Sequence, residues 1–569
     1  MSELKWWQKA VFYQIYPRSF ADGNGDGIGD FIGMAEKLDY LKDLGIDAIW
    51  LSPHFPSPQF DVGYDISDYV NVAPEYGTLE DFKRFLDGAH ERGIRVILDW
   101  VLNHTSHLHQ WFLDSRSSRD NPKRDWYIWK DGKNGGPPNN WLSPFGGSAW
   151  EYDEATDQYY YHYFLKEQPD LNWRNPEVKQ AMWDATRFWL DLGVDGYRLD
   201  AIGTIFERPD MPEHPGELTD ELRRALHHGF PDGSDKKVSA AWEKIYQYQH
   251  EQPGVHELMQ ELRQVINEYP DRMLVGENSD ISYHGDGDNE LHMVFNFPLM
   301  RTKRLTPAWV RANQKERLAT LPPGAWPCNT LNNHDTPRLR TKFGDGKNDE
   351  AIARTSLALM LTLRGTPFIY NGEEIGMPDY YLTDINLFVD PPSISFYHQE
   401  IEKGIAPAEA LIRAAHDSRD RCRTPLQWRN APNAGFSPEG VRTWLPVNPN
   451  YAQGLNVADQ QDDPKSMLNF YKKMLQVRRE NPALVFGEYQ PLHESSEKYL
   501  AFLRQSTSPQ QTCLVVINFS EEPQKIDFEL NANALQCVYS THRTGNEILS
   551  PNNLMIEPFE ILIIELTSS

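Results

Sequence analysis

The sequence predicts an α/β protein built on a (β/α)₈ TIM barrel, with a small domain inserted after the third strand and an antiparallel β-sandwich at the C-terminus. Three observations predict this fold class. Eight short apolar runs alternate with helical patterns, about 70 residues separate the third run from the next helix, and the pattern changes near residue 481. The predicted domains are the barrel (1–104 and 175–480), the inserted domain (105–174) and the sandwich (481–569).

The barrel prediction depends on apolar segments that are each short enough for one buried strand. Strands that alternate with helices form parallel βαβ units, and eight such units indicate a closed barrel. The eight segments are Val11–Tyr16, Ala48–Ser52, Val96–Leu102, Gly196–Ala201, Met273–Gly276, Met293–Phe297, Cys328–Leu331 and Pro367–Tyr370.

Two of the intervening helices show recognisable ends. Asp30 is a suitable N-cap for a helix whose apolar residues recur every three positions, and Gly45 is a suitable stop. In the second helix Asn175 is the predicted N-cap, Pro176 occupies the first helical position and Gly193 ends the helix.

The two additions to the barrel differ from it in composition. Residues 105–174 are rich in Gly, Pro, Asn and aromatic residues and are too many for a loop without structure, so a small domain on the C-terminal face is expected. Beyond Asn481 the runs Tyr499–Leu503, Cys513–Asn518 and Ile561–Leu566 have strand-like content with no helices between them.

Charge and composition exclude several classes of partner. The chain has 56 Lys and Arg against 82 Asp and Glu, a formal net charge of −26, which disfavours nucleic acid and anionic membranes. No apolar run approaches the roughly 18 residues of a membrane helix. Residues 1–7 lack the pattern of a secretory signal, so a cytoplasmic protein or a processed form is expected. The sequence leaves monomer and homodimer open.

The four cysteines suggest neither a zinc site nor a disulfide framework. Cys328, Cys422, Cys513 and Cys537 lie far apart in the sequence and form no close pair. Buried free thiols are therefore expected.

Charged side chains are expected to meet where the barrel strands end, because active sites of such barrels lie on the C-terminal face. Asp200, Glu277 and Asp335 fall at three predicted strand ends. Arg198 precedes Asp200 by two residues, so both side chains face the same side of the strand. Clustered carboxylates indicate either metal binding or glycoside cleavage, which needs a nucleophile and a proton donor.

A set of motifs then gives a specific resemblance. They are Gln14–Phe20, Gly63–Tyr69, Asp99–His104, Gln168–Asn172, Gly196–Asp200, Gly276–Glu277, Asn333–Asp335 and Arg423–Pro425. In this order they resemble the α-amylase superfamily, glycoside hydrolase family 13, and within it the oligo-1,6-glucosidase and α-glucosidase group. The resemblance covers nearly the whole chain. It implies a retaining exo-α-glucosidase that releases terminal glucose from short oligosaccharides through a β-glucosyl-enzyme. Transfer of glucose to another sugar is compatible with the same intermediate at high sugar concentration.

The resemblance also implies a role for each matched residue. Asp200 is the nucleophile, Glu277 the general acid and base, and Asp335 the transition-state stabiliser. The implied substrate-binding residues are Asp61, Tyr64, His104, Phe164, Gln168, Arg198, Ala201, His334 and Arg419. Asp61 and Arg419 match the pair that closes the pocket at the non-reducing end, with Arg423 as the alternative to Arg419. A pocket closed there removes one glucose at a time.

Linkage preference is expected to depend on Ala201, which follows the nucleophile. Relatives that prefer α-1,6 bonds usually carry Val at this position, whereas a small residue or Thr accompanies α-1,4 cleavage. The side chain borders the leaving group, where two branched methyl groups exclude some poses of the departing sugar. The resemblance therefore implies a preference for maltose over isomaltose. The alternative is that the Ala201 side chain only packs against its neighbours and has no effect on linkage preference.

A loop near the N-terminus has the donor pattern of a calcium site. Oxygen donors alternate in residues 22–30 with Gly at the sixth position, but Gly33 replaces the Glu that an EF-hand has at its twelfth position. The family often binds structural Ca²⁺, or sometimes Mg²⁺, here. The implied ligands are Asp22, Asn24, Asp26, the Ile28 carbonyl and Asp30. The alternative is a turn satisfied by backbone hydrogen bonds.

Two other functions fit parts of the pattern. A transferase or isomerase, such as a trehalose synthase or a sucrose isomerase, uses the same glucosyl-enzyme and differs in the acceptor. The Arg-Leu-Asp-Arg/Lys motif of sucrose isomerases is absent near Met293–Leu305, which disfavours that option. A non-catalytic relative, like the heavy chains of amino-acid transporters, would carry a membrane helix and lack the catalytic carboxylates.

Overall fold

The computed structural model describes residues 4–217, 236–530 and 534–567. Within these ranges eight parallel strands form a nearly closed barrel, hydrogen-bonded in the order β10-β11-β1-β2-β3-β7-β8-β9. The strands are β1 (Phe12–Ile15), β2 (Ala48–Leu51), β3 (Arg95–Val101), β7 (Gly196–Asp200), β8 (Met273–Gly276), β9 (Met293–Val294), β10 (Cys328–Thr330) and β11 (Thr366–Tyr370). Each strand overlaps an apolar segment that predicted it, so the barrel prediction is confirmed.

Alternating side chains of the strands fill the barrel with a buried apolar cluster. Phe12 stacks on Phe368 with ring centroids 4.5 Å apart, and Ile97 belongs to the same cluster. On β7 the first position is Gly196, with φ +149°, and a Cβ there would lie 2.1 Å from the Met273 carbonyl oxygen. Only glycine allows β7 and β8 to approach this closely.

Helices lie before, between and after the barrel strands. In chain order they are α1 (Trp6–Lys9), α2 (Pro17–Phe20), α3 (Phe31–Glu36), α4 (Leu38–Leu44), α5 (Leu79–Glu91), α6 (Gln110–Ser117), α7 (Pro176–Asp191), α8 (Lys236–Tyr246), α9 (Val255–Asn267), α10 (Phe297–Met300), α11 (Pro307–Thr320), α12 (Leu339–Lys342), α13 (Asp349–Thr362), α14 (Pro391–Glu402), α15 (Pro407–Asp417), α16 (Val457–Gln461), α17 (Met467–Glu480) and α18 (Pro482–Phe486). None of these helices is long and apolar enough to cross a membrane.

The two helices analysed from sequence are both present, but the first is divided. Asp30 caps α3 by accepting a hydrogen bond from Gly33 N, and Gly45 ends α4 with φ +97°. Lys37 (φ −100°, ψ 5°) separates α3 from α4, so the prediction of one continuous helix was wrong. Its N–H bonds to the Met34 carbonyl, three residues back, which tightens the last turn and ends α3. The α7 prediction holds, with Asn175 as N-cap.

The inserted segment contains a small antiparallel sheet in the order β4-β6-β5, formed by β4 (Trp129–Lys130), β5 (Trp150–Asp153) and β6 (Gln158–Tyr161). Trp141 and Tyr161 lie at the centre of its buried cluster. The same cluster includes Trp242 and Tyr246 of α8, which belongs to the connection after β7. The inserted domain therefore shares its core with a helix about 100 residues further along the chain.

The C-terminal region is antiparallel. One sheet has the order β12-β13-β14-β19-β16-β17 and a second pairs β15 with β18. The strands are β12 (Glu488–Leu492), β13 (Tyr499–Thr507), β14 (Gln510–Asn518), β15 (Gln524–Ile526), β16 (Ala534–Ser540), β17 (Ile548–Leu549), β18 (Leu554–Ile556) and β19 (Ile561–Thr567). The predicted antiparallel C-terminal region is confirmed, and its strands begin just after α18. All four cysteines are buried and unpaired, as expected.

Candidate active site

The predicted catalytic carboxylates lie at the C-terminal ends of neighbouring barrel strands. In the register of β3 and β7, Asp99 pairs with Arg198 and Val101 pairs with Asp200. Glu277 follows β8 directly, because that strand ends at Gly276. Side chains at every second position point into the barrel, so the apolar interior gives way to charged groups at this rim.

Arg198 joins three carboxylates from three strands. Its Nη1 lies 2.6 Å from Asp99 Oδ1 and 2.7 Å from Asp200 Oδ1, and its Nη2 lies 2.7 Å from Glu277 Oε2. The guanidinium also lies over the Trp50 ring, 5.0 Å from the centroid. Charge-assisted hydrogen bonds of this kind fix direction as well as distance. One buried cation therefore sets the relative positions of Asp200 and Glu277.

Exposure separates the supporting groups from the reactive ones. The side chains of Asp99 and Arg198 are 0% and 1% exposed, whereas those of Asp200 and Glu277 are 12% and 19% exposed. The side chain of Asp335 is 30% exposed. Asp200, Glu277 and Asp335 can therefore reach a bound molecule, while Asp99 acts only through Arg198 and its other neighbours.

The charge balance of this cluster favours retention of a proton. Burial raises the pKa of Asp200 well above its usual value; Arg198 opposes the rise, and Glu277 and Asp99 add to it. Burial also raises the pKa of Asp99 to about 6 against the charge of Arg198. The raised pKa belongs to Asp200, whose neighbour Glu277 contacts the same Arg198 guanidinium.

The residue after Asp200 makes an unusual turn towards Glu277. Ala201 has φ 41° and ψ 44°, the left-handed region that residues other than glycine rarely adopt. In this conformation its backbone N–H donates to Glu277 Oε2 at 3.0 Å. The strained turn thus gives Glu277 a second fixed donor besides Arg198.

Asp335 is held in its ionised form by two arginines and by its contact with His334. Arg423 Nη2 lies 2.5 Å and Arg419 Nη1 lies 3.5 Å from Asp335 Oδ1, and His334 Nε2 lies 3.2 Å from Oδ2. Burial opposes ionisation, but the neighbouring His334, Arg423 and Arg419 outweigh it and hold the pKa of Asp335 below its usual range. Asp335 is therefore an anion over the whole working pH range.

His334 links Asp335 to Tyr64 and to the base of the site. Gln14 Nε2 lies 2.7 Å from His334 Nδ1, and since an amide nitrogen only donates, the ring proton lies on Nε2. That nitrogen lies 2.7 Å from the Tyr64 hydroxyl, which itself donates to Asp99 Oδ2 at 3.0 Å. Burial lowers the pKa of His334 well below its usual value, so the ring is neutral.

A second set of residues adjoins the carboxylates through the contact of Arg419 with Asp335. We call this set the outer wall: Asp61, Gln168, His104, Phe164 and Arg419. Arg419 Nη2 lies 2.9 Å from Asp61 Oδ1, and Gln168 Nε2 donates to Asp61 Oδ2 at 3.1 Å. Gln168 Nε2 also lies 2.9 Å from His104 Nε2. Phe164 packs edge-on against His104 with centroids 5.4 Å apart. The outer wall connects the loop after β2, the inserted domain and the segment before α16.

Comparison with known proteins identifies the family. The alpha-amylase catalytic domain matches residues 14–487, which is most of the chain. The chain belongs to the alpha-amylase family, glycoside hydrolase family 13.

The similarity of this family 13 enzyme to its relatives covers nearly its whole length. An oligo-1,6-glucosidase of Parageobacillus thermoglucosidasius is 42% identical over 539 residues, 91% of each chain. An alpha-glucosidase of Pediococcus pentosaceus is 41% identical over 521 residues, 87% of this chain and 88% of the relative. The crystal structure of a trehalulose synthase from Pseudomonas mesoacidophila MX-45 has a TM-score of 0.87 at 39% identity and covers 99% of this chain and 100% of that one. The two curated relatives are glycosidases, and this family 13 enzyme is a glycoside hydrolase.

The structure brings together all the residues that the sequence analysis placed at the active site of this family 13 enzyme. Arg419 contacts Asp61, whereas Arg423 makes its short contact with Asp335. Tyr64 is buried, and its ring stacks on His334 at 5.4 Å. The alternative assignment of Arg423 to the Asp61 pair therefore does not match the observed contacts.

Sequence reasoning gave no role to three residues that contact this site. Asp99 lies in the predicted third strand, and the signal that it faces the barrel interior was its spacing of two residues from the apolar Ile97. Phe145 of the inserted domain lies under the Arg419 guanidinium, with its centroid 5.6 Å away. Asp390 contacts Arg419 at 2.8 Å and lies in a segment where no motif singled it out.

The loop 22–30 folds as a hydrogen-bonded turn. Asp22 Oδ1 accepts from Gly25 N at 2.6 Å, and Asp30 Oδ2 accepts from Asn24 N at 2.8 Å. Ser437 Oγ donates to Asp22 Oδ2. Across 4–217, 236–530 and 534–567, no three His, Cys, Asp or Glu side chains are grouped as for a metal ion. The donors are the hard oxygens that Ca²⁺ prefers, so the chemistry of the loop fits this ion.

Proposed function

We propose that this family 13 enzyme is a retaining exo-α-glucosidase that releases terminal glucose from short α-linked oligosaccharides. The observation that carries the proposal is that Asp200 and Glu277 both contact one guanidinium, that of Arg198, each at 2.7 Å. Retaining glycosidases hold their two carboxyl groups about 5–5.5 Å apart, whereas inverting enzymes leave room for a water. The outer wall supports release of single glucose units, because its Asp61–Arg419 ion pair matches the pair that closes the pocket at the non-reducing end in exo-acting relatives.

In the proposed mechanism Glu277 donates a proton to the glycosidic oxygen as the bond to the glucose C1 breaks. Asp200 attacks C1 from the opposite face and forms a β-glucosyl-enzyme. Glu277, now ionised, takes a proton from water, which attacks C1 and restores the α-configuration. Arg198 balances the charge on both carboxylates throughout, and the anionic Asp335 binds sugar hydroxyls.

The test of this function is turnover of p-nitrophenyl α-glucoside and maltose with detection of the product anomer. We expect α-glucose to form first in the NMR spectrum and to mutarotate later, since two inversions retain configuration. Initial release of β-glucose would exclude the double displacement, and no turnover of either compound would exclude the proposed activity.

A second candidate function is isomerisation of sucrose. It is favoured by the likeness to the trehalulose synthase and to an isomaltulose synthase from Erwinia rhapontici NX5, with a TM-score of 0.86 at 38% identity over 100% of both chains. Both reactions share the glucosyl-enzyme and differ in whether water or fructose accepts glucose. Incubation with sucrose separates them, because isomerisation yields new disaccharides and hydrolysis yields glucose and fructose.

We propose further that α-1,4 bonds are cleaved faster than α-1,6 bonds, and that Ala201 is responsible. The names of the relatives include both oligo-1,6-glucosidase and alpha-glucosidase and leave linkage open. The small Ala201 side chain, next to both Asp200 and Glu277, supports room for an α-1,4-linked leaving sugar. In this proposal maltose is a better substrate than isomaltose.

Replacing Ala201 by Val is expected to lower the ratio of kcat/KM for maltose over isomaltose by about tenfold, since one or two misplaced methyl groups change binding by about 1–3 kcal/mol. The left-handed backbone at this position penalises any β-branched residue, so A201V also loses stability. Ala201→Thr is the matched control: it adds the same branching, but Thr accompanies α-1,4 cleavage, so it should keep a ratio close to the parental one. If A201V also keeps the parental ratio, Ala201 does not set the linkage preference.

We propose that the loop 22–30 binds Ca²⁺ or Mg²⁺ as a structural ion, through Asp22, Asn24, Asp26, the Ile28 carbonyl and Asp30. The loop joins two distant parts of the chain: Trp444 N donates to Gly27 O at 3.0 Å and Asp22 N to Phe436 O at 3.3 Å. An ion in the loop would stabilise this contact. It would supply no chemistry to the active site.

Chelation of the ion with EDTA is expected to lower the Tm by a few degrees, because an ion present at 100 times its Kd stabilises the fold by about 2.7 kcal/mol. Activity well below the Tm should stay unchanged. In the variant Asp26→Ala, the Tm should be low already and insensitive to EDTA. A parental Tm that does not respond to EDTA or to added Ca²⁺ would support the metal-free turn.

A further inference from the structure

Arg419 of the outer wall contacts carboxylates on three different segments. Its Nη2 lies 2.9 Å from Asp61 Oδ1 and 2.8 Å from Asp390 Oδ1, and its Nη1 lies 3.5 Å from Asp335 Oδ1. The short contact of Asp335 is with Arg423, at 2.5 Å. Arg419 therefore lies close to Asp61 and Asp390 and at a longer distance from Asp335.

Asp390 accepts hydrogen bonds from both the side chain and the backbone of Arg419. Its Oδ1 accepts from Arg419 Nε at 2.8 Å, and its Oδ2 accepts from Arg419 N at 3.3 Å. The Asp390 side chain is only 2% exposed. Burial opposes its ionisation, but the charges of Arg419 and Arg423 outweigh burial and lower the pKa of Asp390, so this buried group is an anion.

Asp390 is itself held in place by its surroundings. Asp420 Oδ2 accepts from Asp390 N at 3.1 Å and from Val389 N at 2.8 Å. Ser393 Oγ donates to Asp390 Oδ2. The Asp390 carboxylate is therefore held in one position. A fixed anion of this kind restricts the flexible side chain of Arg419 to one conformation.

We propose that Asp390 is a positioning residue that holds the Arg419 guanidinium against Asp61 and away from Asp335, and so keeps the non-reducing end of the pocket closed. This inference rests on the proposed exo-α-glucosidase function. Without Asp390, the nearest anion left to Arg419 besides Asp61 is Asp335. A closer Arg419 would compete with sugar hydroxyls for Asp335 and would open the outer wall.

The variant Asp390→Ala is expected to raise the KM for p-nitrophenyl α-glucoside about tenfold or more, because a misplaced charged hydrogen-bond partner weakens substrate binding. We expect kcat to change less, since Asp200 and Glu277 keep their contacts with Arg198. The opened wall should also allow direct release of p-nitrophenol and maltose from p-nitrophenyl α-maltoside, a substrate from which the parent first removes glucose.

Three comparisons make the test specific. Asp390→Asn keeps an acceptor oxygen and should give an intermediate KM, even if the alanine variant does not fold. Asp384→Asn, an exposed residue that caps the turn Ile385–Leu387, should leave kinetics and products unchanged. The double variant Asp390→Ala with Arg419→Ala should have the KM of Arg419→Ala alone, because a residue that acts only through Arg419 adds nothing once Arg419 is gone.

The proposal is overturned if Asp390→Asn and Asp390→Ala keep the parental KM and products, or if the effects of the two alanine substitutions multiply in the double variant. A purely structural role would lower the Tm without changing the KM or the first product. Failure of the proposed function is a separate result, because the parent would then not hydrolyse p-nitrophenyl α-glucoside at all.

Discussion

The variant Asp200→Asn should lose activity on p-nitrophenyl α-glucoside by about 10⁵-fold or more, the scale seen when a covalent nucleophile is removed. An amide cannot form the β-glucosyl-enzyme, although it fits the space of the carboxylate. The substitution also removes one of the three anions around Arg198, whose other contacts are Asp99 and Glu277. Steady-state kinetics and active-site titration with a slow glucoside measure the loss.

The control for this variant is Asp210→Asn, the same chemical change at an exposed aspartate that pairs with Arg208 at 2.6 Å. It should keep parental kinetics. A similar Tm for parent and Asp200→Asn shows that the fold is intact, because only the site has changed. Activity of Asp200→Asn within tenfold of the parent would remove Asp200 from the role of nucleophile.

The variant Glu277→Gln should lose much activity on substrates whose leaving group must be protonated and little on substrates whose leaving group needs no proton. For maltose we expect kcat/KM to fall about 10³-fold, within the range typical of general acid catalysis. For α-glucosyl fluoride, whose leaving group needs no proton, kcat/KM should fall less than tenfold. Glutamine keeps an oxygen that can accept from Ala201 N, so the backbone contact is preserved.

The pH dependence gives a second readout for the same variant. Burial raises the pKa of Asp200, and the neighbouring Glu277 and Asp99 add to the rise. In the parent, kcat/KM for maltose should fall as the pH rises, because proton delivery to the leaving sugar needs a protonated carboxyl. In Glu277→Gln the alkaline fall should disappear, because no catalytic proton remains. An equal loss on maltose and on the fluoride would contradict the role of Glu277 as acid.

Much of the fold was predictable because its signals are local. Each barrel strand is a short apolar run followed by a turn, and the carboxylates of the site stand at the ends of those runs. The N-caps Asp30 and Asn175 could be identified from a few neighbouring residues. The break at Lys37 could not, because the apolar spacing continues across it and the bond that ends α3 depends on the path of the backbone.

The parts of the site that escaped prediction depend on contacts between distant segments. Asp390 and Asp61 meet at Arg419 although more than 300 residues separate them in the chain. The segment between β11 and α16 carries both Asp390 and Arg419, and it has no strand pattern that would place it against the barrel rim. Which buried charged residues pair with each other is decided by the assembled fold. A single sequence therefore identifies candidate charged residues but not the ion pairs that they form.

The core that the inserted domain shares with α8 limits how this enzyme can be recombined with its relatives. A chimera that exchanged only residues 105–174 would bring a foreign surface against Trp242, Ile245 and Tyr246, which now pack with Trp141 and Tyr161. The natural cassette for such exchange is therefore discontinuous, and it includes α8 together with the inserted segment. Evolution of substrate range through this region requires paired changes on both pieces.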